Sequence, residues 1–309
     1  MYVKDTNGVD SAVKTISAET ENTVLLADYI KGLYTSQGSN GLYYHTSSLA
    51  NSAADNSYRY AGANPNNYVC FGSTASTCPS DNLYRIIGVF GSEVKLIKAD
   101  YTTTTMTGSG GDYNGTYSSL TSNYKGSMNT SNIASYYWNK SNGTSSTNTL
   151  SGSRLNKTNL NSSYLSYIGT TWSNKIATHT WYVGGYSTYS ATPKTFYNAE
   201  SSGTTYNAKI GLMYVSDYGF AASNNYWTIN MSSYDSATNN NWMYMGLYEW
   251  TISRNSSASD RAFRVGDAGD LGRNYVYMNL FAVRPVFYLN SSITYNRGSG
   301  TAADPVRIN

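Results

Sequence analysis

Apolar residues recur at intervals of three and four in residues 19–38, ETENTVLLADYIKGLYTSQG. This spacing places them along one face of a helix. The members of this stripe are Val24, Leu25, Leu26, Tyr29, Ile30, Leu33 and Tyr34. The pattern predicts a helix that packs one face on a core, is weakened in its last turns by Gly32 and ends near Gly38.

From Tyr58 onward the pattern changes to short apolar runs separated by turn residues. The runs at 67–72 (NYVCFG) and 82–100 (NLYRIIGVFGSEVKLIKAD) predict buried strands, with a turn at Gly91-Ser92. Residues 101–150 are rich in Thr, Ser, Asn and Gly and predict long loops with weak strands. Helical spacing returns at 151–180, carried by Leu155, Leu160, Leu165, Ile168 and, in a second short turn, Trp172 and Ile176.

The last third of the chain alternates between strand-like runs and glycine or asparagine turns. Residues 180–185, 209–221, 241–246 and 247–254 are interpreted as strands or buried segments. AFRV, NYVYM and VRPVFYL then predict three closing strands, with DAGDLGR (267–273) as the turn between the first two. Pro285 places the third strand at a sheet edge or a bulge. The combination indicates an α+β fold with short twisted antiparallel strands, two or more helices and long loops.

Composition favours a folded, turn-rich protein, because 13% of the residues are charged while 15% are aromatic, including 32 tyrosines. The net charge of +3 comes from scattered Lys and Arg, so no basic stripe for nucleic acid is expected. No stretch approaches the roughly 18 apolar residues of a membrane span. We expect a linker or leader remnant at 1–18, a helix and connection at 19–54, and one main domain at 55–309.

The two cysteines, Cys70 and Cys78, are close enough in sequence to close a short loop. A disulfide there would contribute about 2 kcal/mol and would fit an oxidising compartment. Half a zinc site or a redox pair is the alternative, but His45 and His179 lack the spacing of additional ligands. We therefore expect a disulfide, no metal and no cofactor.

Catalytic motifs are missing from the sequence, which has no nucleophile elbow, zinc-binding helix or phosphate loop. The glycine-rich GSGGDYNG at 108–115 lacks the lysine that would hold a phosphate. Glu200, Asp217, Asp235 and Glu249 could supply a carboxylate pair, but nothing in their spacing pairs them. A glycan hydrolase would need two of them to converge in a cleft, and we expect no enzyme.

Charge is concentrated in one segment of this charge-poor chain, DRAFRVGDAGDLGR at 260–273. Its six charged residues are Asp260, Arg261, Arg264, Asp267, Asp270 and Arg273. Apolar residues between them predict a hairpin whose inward positions form core. The outward charges are interpreted either as a solvated, charge-paired hairpin or as a recognition surface, where Arg and aromatic residues concentrate.

Several C-terminal phrases resemble the C-type-lectin-like variable proteins that diversity-generating retroelements rewrite in bacteria and prophages. The matching residues are W250-T-I-S-R254, A262-F263-x-V265, G269, V276-Y277 and V283-R-P-V-F-Y-L289. Phrases upstream extend the resemblance over most of 55–309. It implies a C-type lectin-like fold and adenine-directed mutation of solvent-facing codons in a variable region at about 254–282.

Carried onto this chain, the resemblance separates fixed from displayed positions. The fixed positions would be Trp250, Ser253, Arg254, Phe263, Val265, Gly269, Val276, Tyr277 and 283–289, with Arg284 held beneath the sheet by hydrogen bonds. The displayed positions, hereafter the variable set, would be Asp260, Arg261, Arg264, Asp267, Asp270, Arg273, Asn274, Met278, Asn279, Leu280 and Phe281. The Cys70–Cys78 bridge, Trp250, Arg254 and Arg284 would be structural.

Two departures limit what the resemblance implies. The Glu-Pro-Asn, Gln-Pro-Asp and Trp-Asn-Asp motifs of calcium-dependent lectins are missing, so calcium-mediated sugar binding is not expected. The cysteine pair lies early, whereas the related formylglycine-generating enzymes need reactive cysteines late in the domain. We expect an extracellular or surface-displayed protein, bacterial or on a phage, that binds an unknown protein or glycan. The alternative is a structural pilin-like or fibre-tip adhesive subunit.

Overall fold

The computed structural model describes residues 3–4, 10–11, 23–140 and 147–309. The expected leader at 1–18 therefore lies outside the described residues, apart from the paired strands at 3–4 and 10–11. Five α-helices occur in the described residues: α1 Leu26–Gly32, α2 Thr104–Thr107, α3 Leu165–Ser173, α4 Pro193–Glu200 and α5 Val215–Phe220. A π-helix spans Leu155–Tyr164, and 3₁₀ turns occupy Ser39–Gly41, Ser80–Asn82, Thr130–Asn132, Leu150–Gly152, Asn224–Tyr226 and Met231–Asn240.

The strands of the described residues are short, most of them two to five residues long. They are β1 Val3–Lys4, β2 Asp10–Ser11, β3 Leu42–Tyr44, β4 Tyr58–Tyr60, β5 Tyr68–Cys70, β6 Leu83–Phe90, β7 Glu93–Lys98, β8 Tyr113–Thr116, β9 Ala134–Tyr136, β10 His179–Tyr182, β11 Gly185–Tyr186, β12 Thr205–Ala208, β13 Ile210–Gly211, β14 Glu249–Asn255, β15 Arg261–Val265, β16 Leu271–Tyr275, β17 Val286–Tyr288, β18 Tyr295–Arg297 and β19 Arg307–Ile308.

A seven-stranded antiparallel sheet forms the centre of the molecule, in the order β13-β17-β7-β6-β4-β3, with β5 also paired to β6. The predicted strands at 67–72 and 82–100 are confirmed as β5, β6 and β7. Gly91 lies in the turn between β6 and β7 and has a φ of 64°. Helix α1 is confirmed too, with Leu26 and Ile30 buried. It begins only at Leu26, so the expected core positions Val24 and Leu25 precede the helix and are exposed. It ends at Gly32 rather than near Gly38, because the Asn40 side chain donates a hydrogen bond to the Leu33 carbonyl, 2.7 Å away.

The closing strands differ from the prediction in two places. Strand β16 begins at Leu271 instead of 274, because the Gly266 amide donates to the Asp270 carbonyl and closes a tighter turn at 266–270. Strand β17 lies between β13 and β7, so the expected edge position is wrong. Pro285 precedes β17, where its missing amide proton removes no ladder bond, and its carbonyl accepts from the Lys98 amide.

Helical segments appear where the 151–180 pattern predicted them, as the π-helix followed directly by α3. The segment at 209–221 is different, since only Ile210–Gly211 is strand and Val215–Phe220 turns into α5. The molecule is thus a mixed α+β structure with several antiparallel sheets and few helices. The disulfide between Cys70 and Cys78 is confirmed. In the described part of the chain no helix is long and apolar enough to cross a membrane.

Candidate functional site

The predicted variable region is built on a four-stranded sheet in the order β11-β14-β15-β16. Most of the positions expected to be fixed are buried here, namely Trp250, Ser253, Phe263, Val265, Gly269 and Val276. Phe263 packs edge-on against Phe196 of α4, at 5.1 Å between ring centroids. The apolar positions therefore hold the hairpin on the core, whatever occupies its outer positions.

Phe281 contradicts its place in the variable set, because it is buried, at 6% exposed. Its backbone pairs with Tyr136, and its ring stacks on Tyr248 at 5.2 Å and packs against Trp250 at 4.5 Å. The chain leaves β16 in a turn at 276–278, and alternation then no longer points residue 281 outward. Phe281 supports the surface from beneath and does not form it.

One face of the hairpin brings Arg264, Asp270 and Asn274 together. The Arg264 guanidinium donates to the Asp270 carboxylate at 3.0 Å and to the Asn274 side-chain oxygen at 3.3 Å. It also lies 4.9 Å above the ring of Tyr248, a favourable cation–π geometry. A side chain at Gly272 would begin 2.6 Å from the guanidinium carbon, so the glycine leaves the space that Arg264 fills.

Tyr248 is a surface residue that the sequence did not single out. It lies between the partly buried Arg264 above and the buried Phe281 below. Burial raises the pKa of its phenol, and the nearby Asp267 carboxylate raises it further. A cluster of six charged residues distinguishes 260–273 in the sequence, whereas one tyrosine among 32 carries no comparable signal.

A second group lies at the far end of the hairpin. Arg261 donates to the Tyr275 hydroxyl at 2.9 Å and stacks over the same ring at 4.4 Å. Asp260 is 3.9 Å from Arg261, and both side chains are about one third exposed. The preceding loop is held by Asn148, whose side-chain amide donates to the carbonyls of 255, 258 and 261. These hydrogen bonds fix the backbone of the loop at the point where β15 begins with Arg261.

The turn at 266–270 is held through backbone atoms. The Asp267 carbonyl accepts from the Tyr244 hydroxyl at 2.6 Å and from the Asn123 side-chain amide at 3.0 Å. Gly269 adopts a φ of 92°, a conformation that disfavours other residues. The Asp267 side chain takes no part in these bonds.

Arg273 lies apart from the other arginines of the variable set. It is the cross-strand partner of Phe263, whereas Arg264 is the partner of Gly272, so the two arginines leave opposite faces of the hairpin. Arg273 donates to the Ser187 carbonyl at 2.9 Å and lies 5.9 Å from the exposed Tyr189 ring. The variable set therefore spans two faces instead of forming one patch.

The segment that follows β16 adds the most exposed member of the set. Met278 is 62% exposed, and its neighbours Asn279 and Leu280 are partly exposed. Val276 anchors the segment, because its amide donates to the Asp260 carbonyl and its own carbonyl accepts from the Asn139 amide. An apolar side chain at this exposure is available for contact with a ligand.

Arg284 and Arg254 have internal roles. Arg284 is 1% exposed and pairs with both oxygens of the buried Glu249, at 2.8 and 2.9 Å, while also donating to the Met243 carbonyl at 2.7 Å. The Glu249 carboxylate holds the pKa of Arg284 above its ordinary value, against the effect of burial. Arg254 donates to the Val183 carbonyl at 2.9 Å, which joins β14 to the start of β11.

Two of the four candidate carboxylates do meet in space. Glu200 at the end of α4 and Asp217 in α5 both line a cavity of about 180 Å³ beside β7. Burial raises the pKa of Glu200 to about 7, and its oxygens accept from the Val215 and Ser216 amides and the Ser253 hydroxyl. Glu249 lies elsewhere, bound to Arg284.

Among the described residues, no group of three or more His, Cys, Asp or Glu side chains is arranged to hold a metal ion. No protein-family model matches the chain, and comparison with curated proteins and with solved structures found no significant match.

Proposed function

We propose that the chain is a C-type-lectin-like variable protein, which presents a diversifiable ligand-binding surface on a constant scaffold and catalyses no reaction. The observation that carries this proposal is the sorting of side chains in 254–282. Most positions that the resemblance makes fixed are buried, although Arg254 and Tyr277 are partly exposed, and those it makes displayed, except Phe281, are partly or fully exposed. The mixed α+β architecture is compatible with a lectin-like fold.

The surface has the chemistry of protein or glycan recognition. The three arginines and three aspartates of the variable set, spread over two faces of the hairpin, cancel in charge, and Tyr248, Tyr275 and Met278 add apolar area beside them. Arginine and tyrosine are enriched in binding hot spots: tyrosine buries a large area with only two rotatable bonds, and arginine offers several hydrogen-bond donors on a planar group that also stacks on rings. Affinity would come from a few such anchors, and many copies on one surface would add avidity.

The display site would be extracellular, on a bacterial cell or a phage particle. The Cys70–Cys78 disulfide supports an oxidising compartment. The hairpin is held by backbone contacts from Asn148, Tyr244 and Asn123, so a change of outer side chain leaves the scaffold's own bonds in place. A surface that must vary without unfolding requires this arrangement.

Deep sequencing of this gene in one clonal population tests the proposal. We expect substitutions to concentrate between codons 254 and 282, to spare Phe263, Val265 and Val276, and to fall where a nearby template copy has adenine. Codons 55–100 of the same gene serve as the control, because they encode central strands. A flat substitution profile without a template repeat would overturn the diversified-surface proposal and leave 260–273 as a charged hairpin.

A further inference from the structure

A row of side chains crosses the central sheet on the face covered by α4 and α5. The register pairs Arg59 with Gly88, Gly88 with Lys95, and Lys95 with Tyr288, across β4, β6, β7 and β17. Directly paired residues share a face of the sheet. Gly88 lies between the two cations Arg59 and Lys95 in this row, and a Cβ built on it would lie 2.2 Å from the Tyr58 carbonyl oxygen, so only glycine fits there.

Asp217 of α5 reaches toward both cations. Its Oδ2 lies 2.5 Å from Lys95 Nζ and accepts from the Tyr214 amide at 2.9 Å, while its Oδ1 lies 3.7 Å from Arg59 Nη1. The Lys95 and Asp217 side chains are each 1% exposed. A second carboxylate, Asp55, pairs with Arg59 at 2.6 Å, so Arg59 does not depend on Asp217 alone.

Aromatic rings enclose the amine. Lys95 Nζ lies 4.6 Å from the ring centre of Tyr214, 5.3 Å from that of Tyr288 and 5.4 Å from that of Phe90. Among the described residues Asp217 is the one hydrogen-bond acceptor for this amine. Burial lowers the pKa of Lys95 and so favours the neutral, nucleophilic amine.

We propose that Lys95 and Asp217 join in an intramolecular amide bond, formed between Lys95 Nζ and Asp217 Cγ. The proposal goes beyond binding at the variable surface and does not depend on it. The site is a self-modification site, and its substrate is the protein's own lysine and aspartate. No bound cofactor, oxidant or reductant takes part.

The reaction balances as a condensation. A proton passes from the Lys95 ammonium to Asp217 Oδ2, and the freed lone pair on Nζ attacks Cγ. The tetrahedral intermediate carries its negative charge on Oδ1, where the Arg59 guanidinium stabilises it. The C–Oδ2 bond then breaks, and Oδ2 leaves as water with a second proton from Nζ. One ammonium and one carboxylate are replaced by a neutral amide and one water.

The surroundings favour this product over a lasting ion pair. Two buried charges carry a desolvation cost that a neutral amide avoids, and the pair is preorganised at contact distance, which replaces a bimolecular encounter. The remaining charges balance, because Arg59 keeps Asp55. Both reacting residues line the cavity of about 180 Å³, which gives the leaving water a way out.

Intact-mass spectrometry of the folded protein, denatured just before measurement, tests the proposal. We expect a mass lower by one water than the disulfide-bonded sequence, and a branched proteolytic peptide in which Lys95 is joined to Asp217. Lys95→Arg keeps the charge but removes the primary amine, and it should restore the full mass. The control Lys98→Arg, at another buried lysine of β7, should still lose the water.

The mass of the wild-type protein alone tests whether the amide bond is present, so the result does not depend on whether a variant folds. An unmodified mass in folded wild-type protein would overturn the proposal and leave Lys95–Asp217 as a buried ion pair. Loss of water that persists in Lys95→Arg, or that maps to another peptide, would also overturn it. Neither result would bear on the codon-variation test of the variable surface.

Discussion

Glu249→Gln removes one charge from a buried pair while nearly preserving its shape. In the wild type both oxygens of Glu249 accept from Arg284, at 2.8 and 2.9 Å, and both side chains are at most 2% exposed. The glutamine amide offers a single acceptor oxygen and turns an NH₂ group toward a guanidinium. Arg284 then keeps its charge in the core with the Met243 carbonyl as its remaining strong acceptor.

The expected loss of unfolding free energy is about 3–5 kcal/mol, the cost of leaving one member of a buried pair without its partner. A double variant, Glu249→Leu with Arg284→Met, removes both charges and should recover at least about 2 kcal/mol of that loss. The recovery is incomplete, because the Met243 carbonyl loses its donor at a cost of about 1–3 kcal/mol. Asp260→Asn breaks an exposed pair and should cost under about 1 kcal/mol.

Urea unfolding followed by tryptophan fluorescence measures these differences, since Trp250 lies next to Glu249 in β14. The three variants and the wild type are compared at one pH and with the disulfide intact. A Glu249→Gln variant within about 1 kcal/mol of the wild type would refute the account of a desolvated charge. So would a double variant that is no more stable than the single one.

Two further outcomes concern the burial of Glu200 and Phe281, and a third concerns the disulfide. Because burial raises the pKa of Glu200, the protonated side chain stabilises the fold fully below pH 4.5, and this stabilisation is lost as the pH rises to about 7. The difference in unfolding free energy between wild type and Glu200→Gln should therefore change by about 3 kcal/mol between about pH 4 and about pH 8, as measured by chemical unfolding. Phe281→Ala should lower the unfolding free energy by about 3–5 kcal/mol, whereas the exposed Met278→Ala should change it by less than about 0.5 kcal/mol; equal losses would contradict the inward placement of Phe281. Replacing Cys70 and Cys78 by Ala should cost about 2 kcal/mol, and a reductant should weaken the wild type but leave that variant unchanged.

Local patterns predicted the elements whose partners are close in sequence. The apolar stripe of α1, the β6–β7 hairpin around Gly91 and the disulfide all depend on residues within a few positions of one another. The shared inward placement of Phe263 and Val265 in β15 likewise follows from the two-residue period of a strand. For these parts of the molecule, spacing and residue type carry the needed information.

Other features depend on contacts that spacing does not encode. Lys95 and Asp217 are separated by 122 positions and meet only because α5 packs over the central sheet. Phe281 follows a turn, after which the alternation of β16 gives no guidance. The sequence alone does not predict that Arg264 and Arg273 lie on opposite faces of the hairpin. That placement depends on the strand register, and a shift of one residue exchanges the two faces of a strand.

The turn at 266–270 is tied to its surroundings through the Asp267 carbonyl, whereas Arg264 and Asp270 are tied to each other through their side chains. Every amino acid supplies the same carbonyl, so position 267 can pass through many residues one at a time at little cost. Positions 264 and 270 are coupled, because a change at either one removes the ion-pair partner of the other. In a population of related sequences, 267 should vary independently, while 264 and 270 should change as a correlated pair.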